Sequence, residues 1–210
     1  DERTLQMVEQ TLTKMARGGI QDHLGKGFHR YSVDSQWLVP HFEKMLYDNA
    51  SLVKVLTQAH QVAPNKARFP EVIHETIAYL EREMCLEINT EEIAFYSAQD
   101  ADSEGVEGKF FLWTTAQLEE TLGVDDALIA AKVFDVSTTG NFTDPHNPEL
   151  VQRNILTRRS DISEIAKDLQ IDSDELSNKV AHIRDQLFEV REKRIPVSYT
   201  HLTLPTTPYV

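Results

Sequence analysis

The sequence predicts a mainly α-helical domain, built of helical hairpins with one β-hairpin inserted between them. Three observations carry that prediction. Apolar residues recur at helical spacing over most of the 210 residues. One block, residues 93–114, is instead rich in β-branched and aromatic residues around a Gly- and acid-rich turn. Glycines and prolines mark the ends of these segments and the turns that join them.

Taken in order, Thr4 to Arg17 carries Leu5, Val8, Leu12 and Met15 on one helical face, and Gly18-Gly19 stops it. A glycine-rich loop follows. A long helix is predicted from Pro40, which suits a first helical position, to about Val62. Its apolar face holds Phe42, Met45, Asn49, Leu52, Val53, Leu56 and Ala59. Ala63-Pro64-Asn65 breaks the chain, and Pro70 to about Glu87 forms a third helix with Val72, Ile73, Ile77, Leu80 and Met84 aligned. Ile93 to Ser97 and Phe110 to Thr114 are the arms of the hairpin. Thr115 to Leu122, closed by Gly123, and Asp125 to Val133 are short helices, and Gly140 to Pro148 is loop. The last helices cover Ser163 to Leu169 and Ser173 to Lys193, the longer one opened by Asp172 and Glu175 in the manner of a capping box.

Composition narrows the function classes. A content of 40% hydrophobic and 26% charged residues is that of a globular protein, and a formal net charge of −13 argues against nucleic-acid partners and against anionic membrane surfaces. No apolar run is long enough to span a bilayer and no signal peptide opens the sequence. Cys85 is the only cysteine, read as a small core residue late in the third helix, so neither disulfides nor a thiolate zinc site are expected and a cytoplasmic setting fits. His23, His29 and His41 lack zinc-ligand spacing. Asp100-Ala-Asp-Ser-Glu-Gly105 opens like a calcium loop but has Phe111 where the twelfth-position Glu belongs. Gly25-Lys-Gly27 follows no strand, and no Ser sits in a nucleophile elbow. No metal and no cofactor are expected. Asp1 falls inside a helical pattern, and the uncharged, Thr/Pro-rich stretch after Pro196 resembles translated adapter read-through. The domain is therefore placed at 1–196, with 197–210 a non-native tail expected to make few contacts.

The candidate site is the stretch from Gly18 to Ala50. It concentrates three histidines, three aspartates, an arginine, a tryptophan and two tyrosines in a loop and a helix start, more than turn chemistry requires. On the predicted helix His41 and Asp48 project from the apolar face and Lys44 from its edge, so the first turns line a cavity, or the three satisfy one another and brace the loop. The cavity reading adds His29, Arg30, Tyr31, Trp37 and the Asp100–Asp102 turn to the wall.

Three blocks carry a family resemblance. Asp22-His-Leu-Gly-Lys-Gly-Phe-His-Arg-Tyr-Ser-Val-Asp34, with Trp37 and Pro40-His-Phe-Glu-Lys-Met-Leu-Tyr-Asp-Asn-Ala50, is the first; Ala94 to Thr114 is the second; Gly140-Asn-Phe142 with Asn154-Ile-Leu156 is the third. They resemble the thioredoxin-domain-containing proteins related to spermatogenesis-associated protein 20. The resemblance implies an N-terminal thioredoxin-like domain preceding this chain. It also implies a six-hairpin (α/α) toroid, similar to N-acylglucosamine 2-epimerases and six-hairpin glycosidases, of which this chain is a partial one. Lys26 departs from the family's glycine run. In the related epimerases the catalytic histidines lie on later helices. Two function classes follow. One is a carbohydrate-active enzyme (epimerase, isomerase or hydrolase) in which His41 exchanges protons, Asp48 orients it, and Asp100 and Asp102 bind sugar hydroxyls. The other is a non-catalytic module that binds a ligand or positions the thioredoxin-like domain.

Overall fold

A computed structural model of the chain describes residues 2–63, 68–87, 93–144, 146–148 and 150–201. About half of the described residues are helical, in seven α-helices joined by short strands. Helix α1 (Glu2–Arg17) leads through the glycine-rich loop to β1 (Tyr31–Ser32), β2 (Pro40–His41) and β3 (Lys44–Met45). Helices α2 (Leu46–Val62) and α3 (Arg68–Tyr79) form a hairpin, and α3 runs on through a π-helical turn over Leu80–Met84. Strands β4 (Cys85–Glu87), β5 (Ile93–Gln99), β6 (Asp102–Ser103) and β7 (Val106–Glu107) follow. Helices α4 (Thr115–Leu122), α5 (Val124–Val133), α6 (Ile162–Leu169) and α7 (Ser173–Arg191) and strand β8 (Tyr199–His201) complete the chain.

Three elements differ from the sequence reading. The helix predicted from Pro40 begins at Leu46, because residues 40–45 are spent on two sheets: β2 pairs antiparallel with β1 (Tyr31 opposite His41), and β3 pairs with β5 (Lys44 opposite Gln99). The predicted arms of the β-hairpin do not pair with each other. β5 takes β3, β4 and β8 as neighbours, all antiparallel, and the tight hairpin is the small β6–β7 ribbon inside the turn. Gly105 and Gly108, both at φ +74°, with Glu104 at φ +55°, fold the ribbon back on itself, and a side chain at Gly108 would collide with the Phe42 ring. The third helix ends early, so Cys85 lies in β4 and is only partly buried.

The tail also makes contacts. Val197 is buried beside Phe42, Phe110 and Ile155, Asp100 N donates to Ser198 O at 2.8 Å, and β8 pairs with β5. The few-contacts expectation therefore fails for 197–201, and residues 202–210 lie outside those described.

Two of the three apolar clusters share one unusual partition, the loop between α1 and β1. Helices α4 to α7 bury Leu118, Ala130, Ile165, Leu176, Ile183 and Leu187 around Trp113 and the loop's Leu24. The α1–α2–α3 side packs Leu12, Leu56, Phe69 and Val72 on Ile20 and Phe28 of the same loop. The third cluster holds Phe42 and 110–112. A buried loop must find partners for its peptide groups. His29 N donates to Ile20 O and Asp22 N to Gly27 O, and buried Asn49 accepts from Phe28 N at 2.7 Å while donating to Phe28 O at 3.0 Å. Asn141 does the same for both backbone groups of Ile155.

Candidate functional site

Residues 41–44 explain where the predicted site residues go. An extended segment sends successive side chains to opposite faces. Phe42 and Lys44 turn inward and are almost wholly buried, while His41 and Glu43 turn outward and stay partly exposed. The residues read as one helical face therefore belong to two separate sites.

The inner site is an ion cluster centred on Asp22. Lys44 Nζ donates to Asp22 Oδ2 at 2.7 Å and to Lys26 O at 2.9 Å, and Arg191 Nη1 donates to Asp22 Oδ1 at 2.7 Å. Leu24 N and Gly25 N, both at 3.0 Å, complete the carboxylate's shell. Aromatic rings close the cluster: Lys44 lies 4.4 Å from the Tyr79 ring centre, and Arg191 lies 5.1 Å from that of Phe110. Burial works against every charge here. It raises the Asp22 carboxyl, but Arg191 and Lys44 outweigh it and hold the group well below the ordinary carboxylate range. Burial also lowers Lys44 to about 8 against the opposing pull of Asp22. His29, with Nδ1 at 2.8 Å from Phe42 O, is lowered to about 3 by burial and then by Lys44, so it is a neutral imidazole. The cavity it borders with Gln21, Asp22 and Arg191 measures about 20 Å³, room for one water-sized group. His23 is likewise held well below its usual value, first by burial and then by Arg68 and Arg158.

The outer site gathers around His41. Its Nδ1 lies 2.7 Å from Glu107 Oε1, and the same oxygen accepts from Phe42 N at 3.1 Å. Its Nε2 lies 3.7 Å from Glu43 Oε2, which is paired with Arg30 Nη1 at 2.8 Å. Tyr31, 50% exposed, stacks on the imidazole with ring centres 5.1 Å apart. Asp102 stands opposite Glu107 across the β6–β7 ribbon, and burial, then Asp100 and Glu107, raise its carboxyl.

The structure thus brings together His41, Arg30, Tyr31 and Asp102, and separates the others. Lys44 and His29 belong to the inner site. Asp48, in the first turn of α2, makes no hydrogen bond to His41; its Oδ2 has no partner among the described residues, and burial raises its carboxyl. Trp37 adopts φ +59° in the loop after β1, accepts from Gly19 N through its carbonyl and packs on the α1–α2 cluster. Asp100 accepts from Ala101 N and Ser198 Oγ. The sequence reading missed Glu107 and Glu43 as partners of His41, Asp22 as the partner of Lys44, and Arg191 as the second cation on Asp22. Period-two alternation across 41–44 was the available signal.

Among the described residues, no helix is long and apolar enough to cross a membrane, and no group of three or more His, Cys, Asp and Glu is arranged to hold a metal ion. No protein-family model matches the chain. It is 35% identical over 208 residues to an uncharacterized protein of Caenorhabditis elegans, covering 91% of this chain and 28% of that protein. It is 34% identical over 209 residues to spermatogenesis-associated protein 20 of Homo sapiens (91% and 26%), and 39% identical over 177 residues to that of Rattus norvegicus (76% and 22%). The chain is therefore homologous to spermatogenesis-associated protein 20 over most of its own length, and it spans about a quarter of the length of these relatives.

Proposed function

We propose, starting from this homology, that the chain contributes part of a carbohydrate-active protein, and that the outer site around His41 takes a polyhydroxylated ligand. The observation that carries the reading is the His41–Glu107 contact. A partly exposed imidazole with one nitrogen fixed on a carboxylate and the other free of any close hydrogen bond, 3.7 Å from Glu43, can pass a proton to or from a bound hydroxyl. Glu107 takes the orienting role first assigned to Asp48. Tyr31 offers an apolar ring for the C–H face of a sugar, while Arg30, Glu43 and Asp102 supply donors and acceptors for its hydroxyls. Epimerase, isomerase and hydrolase chemistry all need such a group. A reducing, cytoplasmic setting is supported by the single cysteine. The six-hairpin toroid and the thioredoxin-like partner domain belong to this reading as properties of the longer protein.

The second reading is the non-catalytic module. The inner ion cluster favours it, because Lys44 and His29 are committed to interior contacts and border only a water-sized cavity. Calorimetric titration of this chain with a panel of neutral and amino sugars separates the two. The outer-site reading expects saturable binding that weakens in His41→Ala and Glu107→Gln, with the melting temperature little changed. Binding that survives both substitutions, or no sugar bound at all, rejects it in favour of the module.

A further inference from the structure

We infer that a groove between α4 and the end of α7 is a binding site for a small oxyanion, a phosphate or carboxylate group, independent of the outer site. The groove encloses about 510 Å³ and is lined by Trp113, Gln117, Glu120, Thr121, Lys193 and Arg194. That volume falls within the range of small-molecule sites, roughly 300–1,000 Å³.

Its charge is out of keeping with the rest of the chain. The molecule as a whole carries a formal charge of −13, yet Lys193, Arg194 and neighbouring Arg153 form no ion pair among the described residues. Arg153 reaches only the Gln117 side-chain oxygen, at 3.5 Å. Arg194 lies 4.0 Å from the Trp113 ring centre and spends one nitrogen on Phe110 O and Leu112 O, at 2.7 and 2.8 Å. The other N–H groups of that guanidinium make no hydrogen bond within the described residues. Burial lowers it to about 10, with Arg191 and Arg153 adding to the effect. Two buried donors, Trp113 Nε1 on the groove wall and Arg153 Nε on the side chain that reaches Gln117, also have no acceptor among the described residues. Buried donors normally find one. Among the described residues Glu120 is the one carboxylate on the wall, and it is not within ion-pair distance of either lining cation.

Donors and positive charge in excess, a wall carboxylate that pairs with neither lining cation, and an open groove beside them together describe the complement of an oxyanion. The Thr121 hydroxyl and Gln117 amide supply further polar contacts, and the Arg194–Trp113 stack fixes the guanidinium plane.

The experiment is a titration of the ¹⁵N-labelled chain with inorganic phosphate, and separately with acetate, against potassium chloride at matched ionic strength. The Trp113 indole N–H resonance is the local reporter. A saturable shift with phosphate or acetate but not with chloride is expected, and the stronger of the two identifies the oxyanion. Lys193→Gln and Arg153→Gln should each weaken it about tenfold, the loss of one charge-assisted hydrogen bond, while Arg153→Lys retains most of it. Lys14→Gln, on α1, should leave it unchanged. Lys193 is exposed, so its variant keeps the test valid if Arg153→Gln fails to fold. The inference is overturned if neither anion shifts the indole saturably, if chloride shifts it equally, or if both glutamine variants bind as the parent does.

Discussion

Asp22 is gripped from two distant parts of the sequence, by Lys44 and by Arg191, and neither cation has another carboxylate as close. Replacing it with Asn removes the carboxylate that both buried cations share and leaves Arg191 with Glu192 at 3.5 Å. Asp22→Asn should therefore cost about 3 kcal/mol or more in urea unfolding, and a loss below about 1 kcal/mol would show that the cluster is not a strong link. The buried histidines set the acid response. His29 is lowered to about 3 in the folded chain against an unfolded value near 6.5, so between those limits the unfolded chain binds the extra proton. Stability then rises with pH through that window and is lost as pH falls below about 6.5. His29 alone contributes about 2 kcal/mol of that loss between pH 6.5 and 5. Asp22 acts in the same direction further down, its contribution being present above about 4 and lost as pH falls towards its depressed folded value. Urea midpoints measured in pH steps test the sign, and a flat profile from 6.5 to 5 would contradict it. At this scale the segment singled out in the sequence, Gly18 to Ala50, supplies Asp22, His29, His41 and Lys44 to the two clusters. It gives no sign of Arg191 and Glu107, which come from far along the chain.

Elements bounded by local chemistry were legible. Helix α4 begins where Thr114 and Gln117 cap each other reciprocally and ends at Gly123, as its sequence requires. Helix α7 begins at Ser173 because Asp172 Oδ1 accepts from Asp174 N and Glu175 N at 2.9 and 3.1 Å. Asp172→Ala should cost about 1 kcal/mol, read as a lower thermal midpoint; an unchanged midpoint would make the cap dispensable. Elements bounded by tertiary pairing were not legible. Pro40 is a good first helical residue and an equally good start to a short strand, and only the neighbours β1 and β5 decide between them. The arms of the predicted hairpin failed for the same reason: β-branched and aromatic residues identify extended backbone or core, while the partner strand is chosen at long range.

For the whole molecule, the fold class was readable and the closure was not. Helical periodicity gave a mainly α chain, but nothing local told that the glycine-rich loop would run through the interior and divide two cores. Some apolar side chains stay outside. Val124 and Leu128 project from α5, Met7 from α1, and Val151 and Ile195 from connecting segments, all more than half exposed. In relatives about four times as long, other segments are available to cover such faces. The chain on its own should therefore self-associate, visible by sedimentation velocity as a concentration-dependent species heavier than 24.0 kDa. A monomer at all concentrations would mean these residues are ordinary surface.

The alternation at 41–44 makes this stretch sensitive to length rather than to composition. Adding or deleting a single residue between Val39 and Met45 would exchange the two faces, exposing Lys44 and driving His41 towards the Asp22 cluster. Natural variation here should accordingly take the form of substitutions at 41 and 43, with insertions and deletions displaced to the flanking loops. A recombinant library with randomised spacing at this point would recover one spacing only.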